Sequence, residues 1–348
     1  MTAADSTKLN IALVFEKQSE FLELGYSEED CADLCHNGEI EAICTTLEAL
    51  GHHVTQVPGI RSLVRHLAEH QGSGWHLVFN MAEGFFGSAR ESQVPCLLEA
   101  YQIPFTFADA ATLSLCLNKA QTKMFLAHHK IPTAQFVVVP GKESRVDWPE
   151  VAASLPAFPV FAKPTSEGSG KGIGAWSKVE DQEALRAVVD RLRAQFPGRD
   201  ILLEPFLCGR DLSVSILGSD AESRVVGVLE FLWDKQRLKG VPFGTALSFA
   251  HPVVHRVLGE AADGQVKRAC KVALHTWRLL NCRDGGRVDI RFDSDRQDAV
   301  PNVLEVNPIA GMLPGKSLFT QTAKGMGMSF AQVLTEIVDS AMRRARRR

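Results

Sequence analysis

Two stretches of the chain carry side chains able to hold a cation and an anion. Residues 286–293 read GRVDIRFD, so Asp289 stands among Val, Ile and Phe with Arg287 two positions before it. Residues 303–308 read VLEVNP, and there Glu305 and Asn307 are likewise two apart. Side chains two apart on a strand share a face. A carboxylate is costly inside an apolar strand unless it finds a charge partner. Two carboxylates and an amide oxygen on neighbouring strands make an all-oxygen site, which suits magnesium, or manganese in its place, bound partly through substrate phosphates. The competing reading, two amphipathic strands with charged outer faces, explains the apolar neighbours poorly.

Residues 158–174, FPVFAKPTSEGSGKGIG, deliver Lys163 from a strand into a loop holding Gly168, Gly170, Gly172 and Gly174. Where no Cβ intervenes, backbone N–H groups can approach phosphate oxygens. The pattern is not a P-loop, because no Lys-Ser or Lys-Thr pair opens a helix after it. Nor is it a dinucleotide fingerprint, which belongs to the first strand–helix turn. Taken alone, the loop reads equally well as a mobile connection between two strands.

The elements around these groups change character along the chain. Apolar β-branched runs at Leu9–Phe15, His53–Val57, His76–Phe79 and Ile103–Phe107 predict strands, with helices near Arg61–Glu69 and Glu91–Tyr101. Ser27 and Asp30 resemble a capping box, and Gly51 suits the stop of the same helix. Such alternation predicts a doubly wound parallel sheet. After Lys119 a small α+β unit follows, and from Ile201 onward come several strands with long helices near Gly259–Leu280 and Phe330–Arg347. The expected units are 1–115, 116–200 and 201–348, mixing α/β with α+β architecture.

Bulk properties exclude several classes. A net charge of -3 provides no global field for nucleic acid, and the basic run Arg343–Arg348 reads as a solvated helix end. No stretch of about 18 apolar residues is present to span a membrane, and the polar start Met1–Asn10 lacks the apolar core of a signal peptide. The eight cysteines follow no framework spacing, which points to reduced thiols and a cytoplasmic setting. Cys31, Cys35 and His36 lack a second ligand pair and are read as packing residues rather than a zinc site.

From about Val78 onward, nine segments fall in one order: VFNMAEG, IPFT, LNKAQTK, FPVFAKP, EGSGKGIG, LLEPF with GRDLSV, GRVDIRFD, LEVNPIAGM and KSLF. Together they resemble the ATP-grasp superfamily and, within it, D-alanine–D-alanine ligases. The resemblance implies an ATP-grasp fold behind an N-terminal doubly wound domain, and an ATP-dependent carboxylate–amine ligase that forms a peptide bond between two amino acids through an acyl-phosphate. It also implies roles. Lys119 and Lys163 contact ATP phosphates. Ser169 and Gly170, with Lys171 nearby, belong to the loop over those phosphates. Glu204 receives the adenine amino group, Pro205 and Leu207 frame the base, and Asp211, where Glu is usual, binds ribose. Asp289, Glu305 and Asn307 hold magnesium. Arg287 and the Gly311 backbone stabilise the tetrahedral intermediate, while Ser317 and Leu318 hold the acceptor's carboxylate. Small amino-acid or dipeptide-like molecules are the implied substrates, with the assembly left between monomer and homodimer.

The substrate end departs from the family. Its Gly-Gly turn after the first strand is replaced by LVFEKQSE, with Glu20 where the ammonium-binding Glu belongs. Glu83-Gly84 replaces a His-Gly step, and the Tyr-bearing loop reads EFLWDKQRLKGVPF, with Lys235 or Lys239 near the family's lysine. Glu20, Glu83, Arg90 and Glu91 are therefore candidate contacts to a donor other than D-alanine; they also fit surface charges, or an internal Glu83–Arg90 pair. Two alternatives stand beside the leading reading: a ligase for noncanonical amino acids, and a nucleotide-binding regulatory protein of this fold without turnover.

Overall fold

A computed structural model describes residues 8–69, 74–142, 145–232 and 254–347. In the N-terminal part, β1 (Asn10–Phe15), α1 (Gln18–Glu23), α2 (Asn37–Ala49), β2 (His53–Pro58), α3 (Gly59–Ala68), β3 (Leu77–Asn80) and α4 (Gln93–Ala100) build a parallel sheet in the order β2-β1-β3. Residues 11–15 are buried because the sheet is covered on both faces. Ile11, Leu13 and Phe15 pack with Ile43 and Leu47 of α2, whereas Ala12 and Val14 pack with Leu63 of α3 and Leu98 of α4.

Next come α5 (Ala110–Leu117), α6 (Lys119–His128), β4 (Val137–Val139), α7 (Trp148–Ser154), β5 (Val160–Pro164), β6 (Lys178–Val179), α8 (Gln182–Gln195) and β7 (Ile201–Pro205). The middle sheet runs β4-β7-β5-β6, all antiparallel, and α8 covers it through Leu185, Val189 and Leu192. It takes in β7, so the change of pattern at residue 200 falls one strand before this sheet is complete.

The largest sheet, in the order β10-β9-β8-β11-β12, is built from β8 (Asp211–Leu217), β9 (Arg224–Leu232), β10 (Val254–Leu258), β11 (Gly285–Phe292) and β12 (Pro301–Asn307). One face carries α9 (Gly264–Leu279), whose Val266, Ala269, Ala273 and Trp277 pack with Val214, Ile216, Val288 and Ile290. Gly286 permits this contact, since a Cβ there would lie 2.5 Å from the Trp277 ring. The odd-numbered residues Arg287 and Asp289 therefore face the opposite side. Two later helices, α10 (Leu318–Gly325) and α11 (Phe330–Arg346), return to the N-terminal part. There Leu334 and Ile337 of α11 complete the core of Ile11, Leu13 and Phe15.

Two local expectations are corrected. Ser27 and Asp30 make the reciprocal bonds of a capping box, Ser27 N to Asp30 Oδ2 at 3.2 Å and Asp30 N to Ser27 Oγ at 3.1 Å, but only turns follow. The helix that ends before Gly51 begins at Asn37, because the acidic residues in between bond outward to other segments. The strand expected at Ile103–Phe107 is a single parallel bridge between Val78 and Phe105.

Candidate active site

The middle and large sheets enclose a cleft lined by Lys119, Lys163, Glu204, Pro205, Leu207, Asp211, Asp289 and Glu305, together with Phe161, Arg291 and Leu304. Pairing fixes the carboxylate end: Asp289 lies opposite Glu305, and Arg287 opposite Asn307, across β11 and β12. The register slips by one residue after Asp289. This bulge lets consecutive residues Leu304 and Glu305 both line the cleft, which regular alternation would forbid. Ser213 Oγ donates to Asp289 Oδ1 at 2.7 Å, Asn307 Nδ2 lies 3.3 Å from Asp289 Oδ2, and Arg287 pairs with Asp289.

The lysines are held by carboxylates. Lys119 lies 3.2 Å from Glu305 and donates to the Glu167 carbonyl at 2.6 Å. Lys163 lies 2.6 Å from Glu204 Oε1, and Lys123, which had no role in the sequence reading, lies 2.9 Å from Oε2. Lys123 occupies one side of Oε2 at 2.9 Å, and a carboxylate oxygen has room to accept from a second donor. Burial opposes ionisation of Glu204, but Lys123 and Lys163 overcome it and draw the carboxyl down to about 2. Burial also opposes ionisation at Glu305, where Lys119 and Arg287 prevail and lower it. At Asp289 burial prevails over Arg287, and with the charge of Glu305 it raises the carboxyl to about 6.

Among the described residues, no group of three or more His, Cys, Asp or Glu is placed to hold an ion by itself. The donor set of Asp289, Glu305 and the Asn307 amide is nevertheless oxygen-only and gathered on two paired strands. It fits a hard divalent cation whose remaining ligands are phosphate oxygens and water.

The glycine-rich loop follows β5. Ser169, Gly170 and Gly172 have φ of 46, 74 and 70°, a left-handed path that favours glycine. Its contacts differ from the expected ones. Lys171, expected near the nucleotide, reaches away from the cleft to Asp33 at 2.5 Å and Glu167 at 3.4 Å. Gly172 N donates to Glu29 Oε1 at 3.2 Å. The segment that replaces a continuous helix after Tyr26 thus rests on the loop, a link with no periodic signature in the sequence.

Of the residues expected to contact the donor, Glu20 is exposed on α1, whereas the nearby Glu16 is buried and accepts from Gly84 N at 3.0 Å. Gly84 has φ 64°, and a Cβ there would meet the Arg90 carbonyl at 2.4 Å. Glu83 is raised well above the carboxylate range by burial and by the charges of Glu91 and Asp33. Burial likewise raises Glu91 to about 7. The Arg90 charge acts on Glu83, but its closest contacts go elsewhere: it donates to the Ser166 carbonyl at 2.9 Å and faces Asp33 at 3.4 Å and Glu167 at 3.7 Å. Ser317 lies beside Gly311, where a Cβ would come 3.0 Å from its Oγ, and it precedes Leu318 at the start of α10. Lys235 and Lys239 lie outside the described residues.

Two α+β sheets clasping a cleft of lysines and carboxylates, behind a parallel-sheet domain, define the ATP-grasp class of ligases. Residues 125–339 match the family model described as the D-ala D-ala ligase C-terminus, and the chain belongs to that family. It is 28% identical over 303 residues to a D-alanine–D-alanine ligase of Desulforudis audaxviator, covering 87% of this chain and 92% of that one. It is 29% identical over 316 residues to one from Rhizorhabdus wittichii, covering 91% and 93%. The fold matches that of the D-alanine–D-alanine ligase of Bacillus anthracis complexed with ATP, with a TM-score of 0.72, 18% identity and coverage of 97% and 99%. The chain is accordingly an ATP-dependent carbon–nitrogen ligase.

Proposed function

We propose that the protein joins the carboxylate of one amino acid to the amine of a second through an acyl-phosphate, using Asp289, Glu305 and Asn307 to hold magnesium with ATP in the cleft. The observation that carries this reading is the β11–β12 register, which gathers two carboxylates, an amide and Arg287 on the face that meets Lys119 and Lys163. Carboxylates do not condense with amines at neutral pH, because the leaving group would be oxide; phosphorylation supplies a competent one.

In this reading Glu204 Oε2 accepts from the adenine amino group, Pro205 and Leu207 frame the base, and Asp211 meets the ribose. Magnesium, when bound, neutralises charge on the phosphates. Lys119 and Lys163 exchange their carboxylate partners for phosphate oxygens, which is most of what phosphoryl transfer needs from a protein. Ser169 and Gly170 cover the phosphates, and the Thr165–Gly174 loop keeps water from the reactive intermediate. Arg287 and the Gly311 N–H meet the oxyanion as the amine attacks, with Ser317 and Leu318 holding the acceptor. The intact set of lysines and carboxylates disfavours a regulatory module without turnover.

The donor is proposed to differ from D-alanine. Glu83 lies among the acids Glu91 and Asp33, and the hydrogen bond and closest ion pairs of Arg90 go to Ser166, Asp33 and Glu167. A donor bearing a further hydrogen-bonding group would satisfy that carboxyl. The decisive experiment measures phosphate release with ATP and magnesium over a panel of D- and L-amino acids, with product masses. Amino-acid-dependent release with a condensation product is expected. Release independent of every amino acid would overturn the ligase reading, and a kcat/KM for D-alanine at or above all others, yielding the D-alanyl dipeptide, would overturn the donor reading.

A further inference from the structure

Helix α6 carries two lysines one turn apart, and they reach different carboxylates of the site. Lys119 meets Glu305, while Lys123 meets Glu204 on β7. The Lys123 side chain is 1% exposed and is held on both sides. Its ammonium donates to Thr133 Oγ1 at 2.8 Å, and Thr133 in turn donates to the Val303 carbonyl at 3.0 Å. Lys163 shares Glu204 but also lines the cleft with Asp289 and Glu305. Once Lys163 turns to phosphate oxygens, Glu204 keeps one adjacent ammonium. A buried carboxylate deprived of both would take up a proton or lose its orientation.

We propose that Lys123 is a positioning residue for nucleotide recognition: anchored by Thr133, it keeps Glu204 an ionised acceptor aimed into the cleft while Lys163 serves the phosphates. The inference rests on the nucleotide reading given above. The charged groups facing Glu204 are Lys123 from α6, Lys163 from β5 and, farther off, Arg291 from β11. An acceptor-only Glu204 favours a base bearing an exocyclic amino group over one bearing a carbonyl at the same position, so adenine is preferred to hypoxanthine.

The test is calorimetric titration of the full-length protein with ATP and with ITP, in magnesium, from pH 5.5 to 8.5. Wild type is expected to prefer ATP throughout. K123M and K123Q should lose at least about tenfold of that preference near pH 5.5 and regain part of it by pH 8.5 as Glu204 ionises again; K123R should retain it. In turnover, the KM for ATP should rise more than kcat falls, as for lost uniform binding. K123Q keeps a donor toward Thr133 and Glu204, so it is read in place of K123M if circular dichroism finds K123M unfolded. A neutral variant that folds and keeps the wild-type preference at every pH overturns the inference alone. Absence of ATP binding by wild type overturns the nucleotide reading and this inference with it.

Discussion

At the level of single residues, the proposed mechanism separates groups that act on migrating charge from groups that grip the nucleotide. Glu305→Ala or Asn307→Ala should lower turnover by at least about 100-fold, roughly 2.7 kcal/mol in barrier, while circular dichroism stays native. Turnover within about tenfold of wild type would remove both residues from the metal site. Lys163→Ala should act chiefly on kcat and Asp211→Ala chiefly on the KM for ATP, because a ribose contact is equal in ground and transition states. Equal effects on kcat would show that one of them is misassigned. Glu91 offers a test on stability. Its folded-state carboxyl lies at about 7, above the ordinary 4.5, so its contribution is whole below about 4.5 and is lost as pH rises through about 7. Glu91→Gln should therefore leave the unfolding free energy almost unchanged at pH 4.5 and raise it at pH 8, by on the order of 1 kcal/mol after solvent screening, as read by denaturant titration. A stabilisation equal at both pH values would contradict this origin.

At the level of elements, what could be read in advance depended on periodicity. The strands around Asp289 and Glu305 were legible because apolar residues alternate with charged ones at a spacing of two, and α11 was legible as a long helix near Phe330–Arg347. The turns at 27–35 were misread as a helix start, since a capping box reports only a local pair of hydrogen bonds, and those bonds form here without a helix. The acidic residues that follow are engaged in long-range contacts: Glu29 on Gly172 and Gln195, Asp33 on Lys171 and Arg90. No spacing rule reveals such contacts. Nor could the bulge after Asp289 or the sharing of Glu204 by two lysines be read from spacing, although Lys123 could have been suspected from its i, i+4 relation to Lys119. Because Glu29 and Asp33 brace the glycine-rich loop, Glu29→Ala with Asp33→Ala should speed limited proteolysis within residues 165–174 several-fold in the nucleotide-free protein. An unchanged cleavage rate would mean that the loop is held by its own turns.

At the level of the whole molecule, the three sheets do not correspond to three separable cores. The parallel sheet shares one cluster with α10 and α11, and Met312 N is bonded to the buried Glu39 of α2. The segment carrying Gly311 is thereby attached to the domain bearing Glu16 and Glu83, so the proposed acceptor and donor sides share one framework. The completion of β1 by α11 also has a consequence for synthesis. Ile11, Leu13 and Phe15 emerge from the ribosome early, yet Leu334 and Ile337, which close that face, emerge only near the other end of the chain. Throughout elongation the nascent N-terminal sheet carries an uncovered apolar face, the kind of surface that chaperones bind and that aggregates when released. A fragment of residues 1–115 should accordingly be captured by a holdase or precipitate, and a peptide spanning residues 329–347 added in trans should bring it into solution as a folded pair.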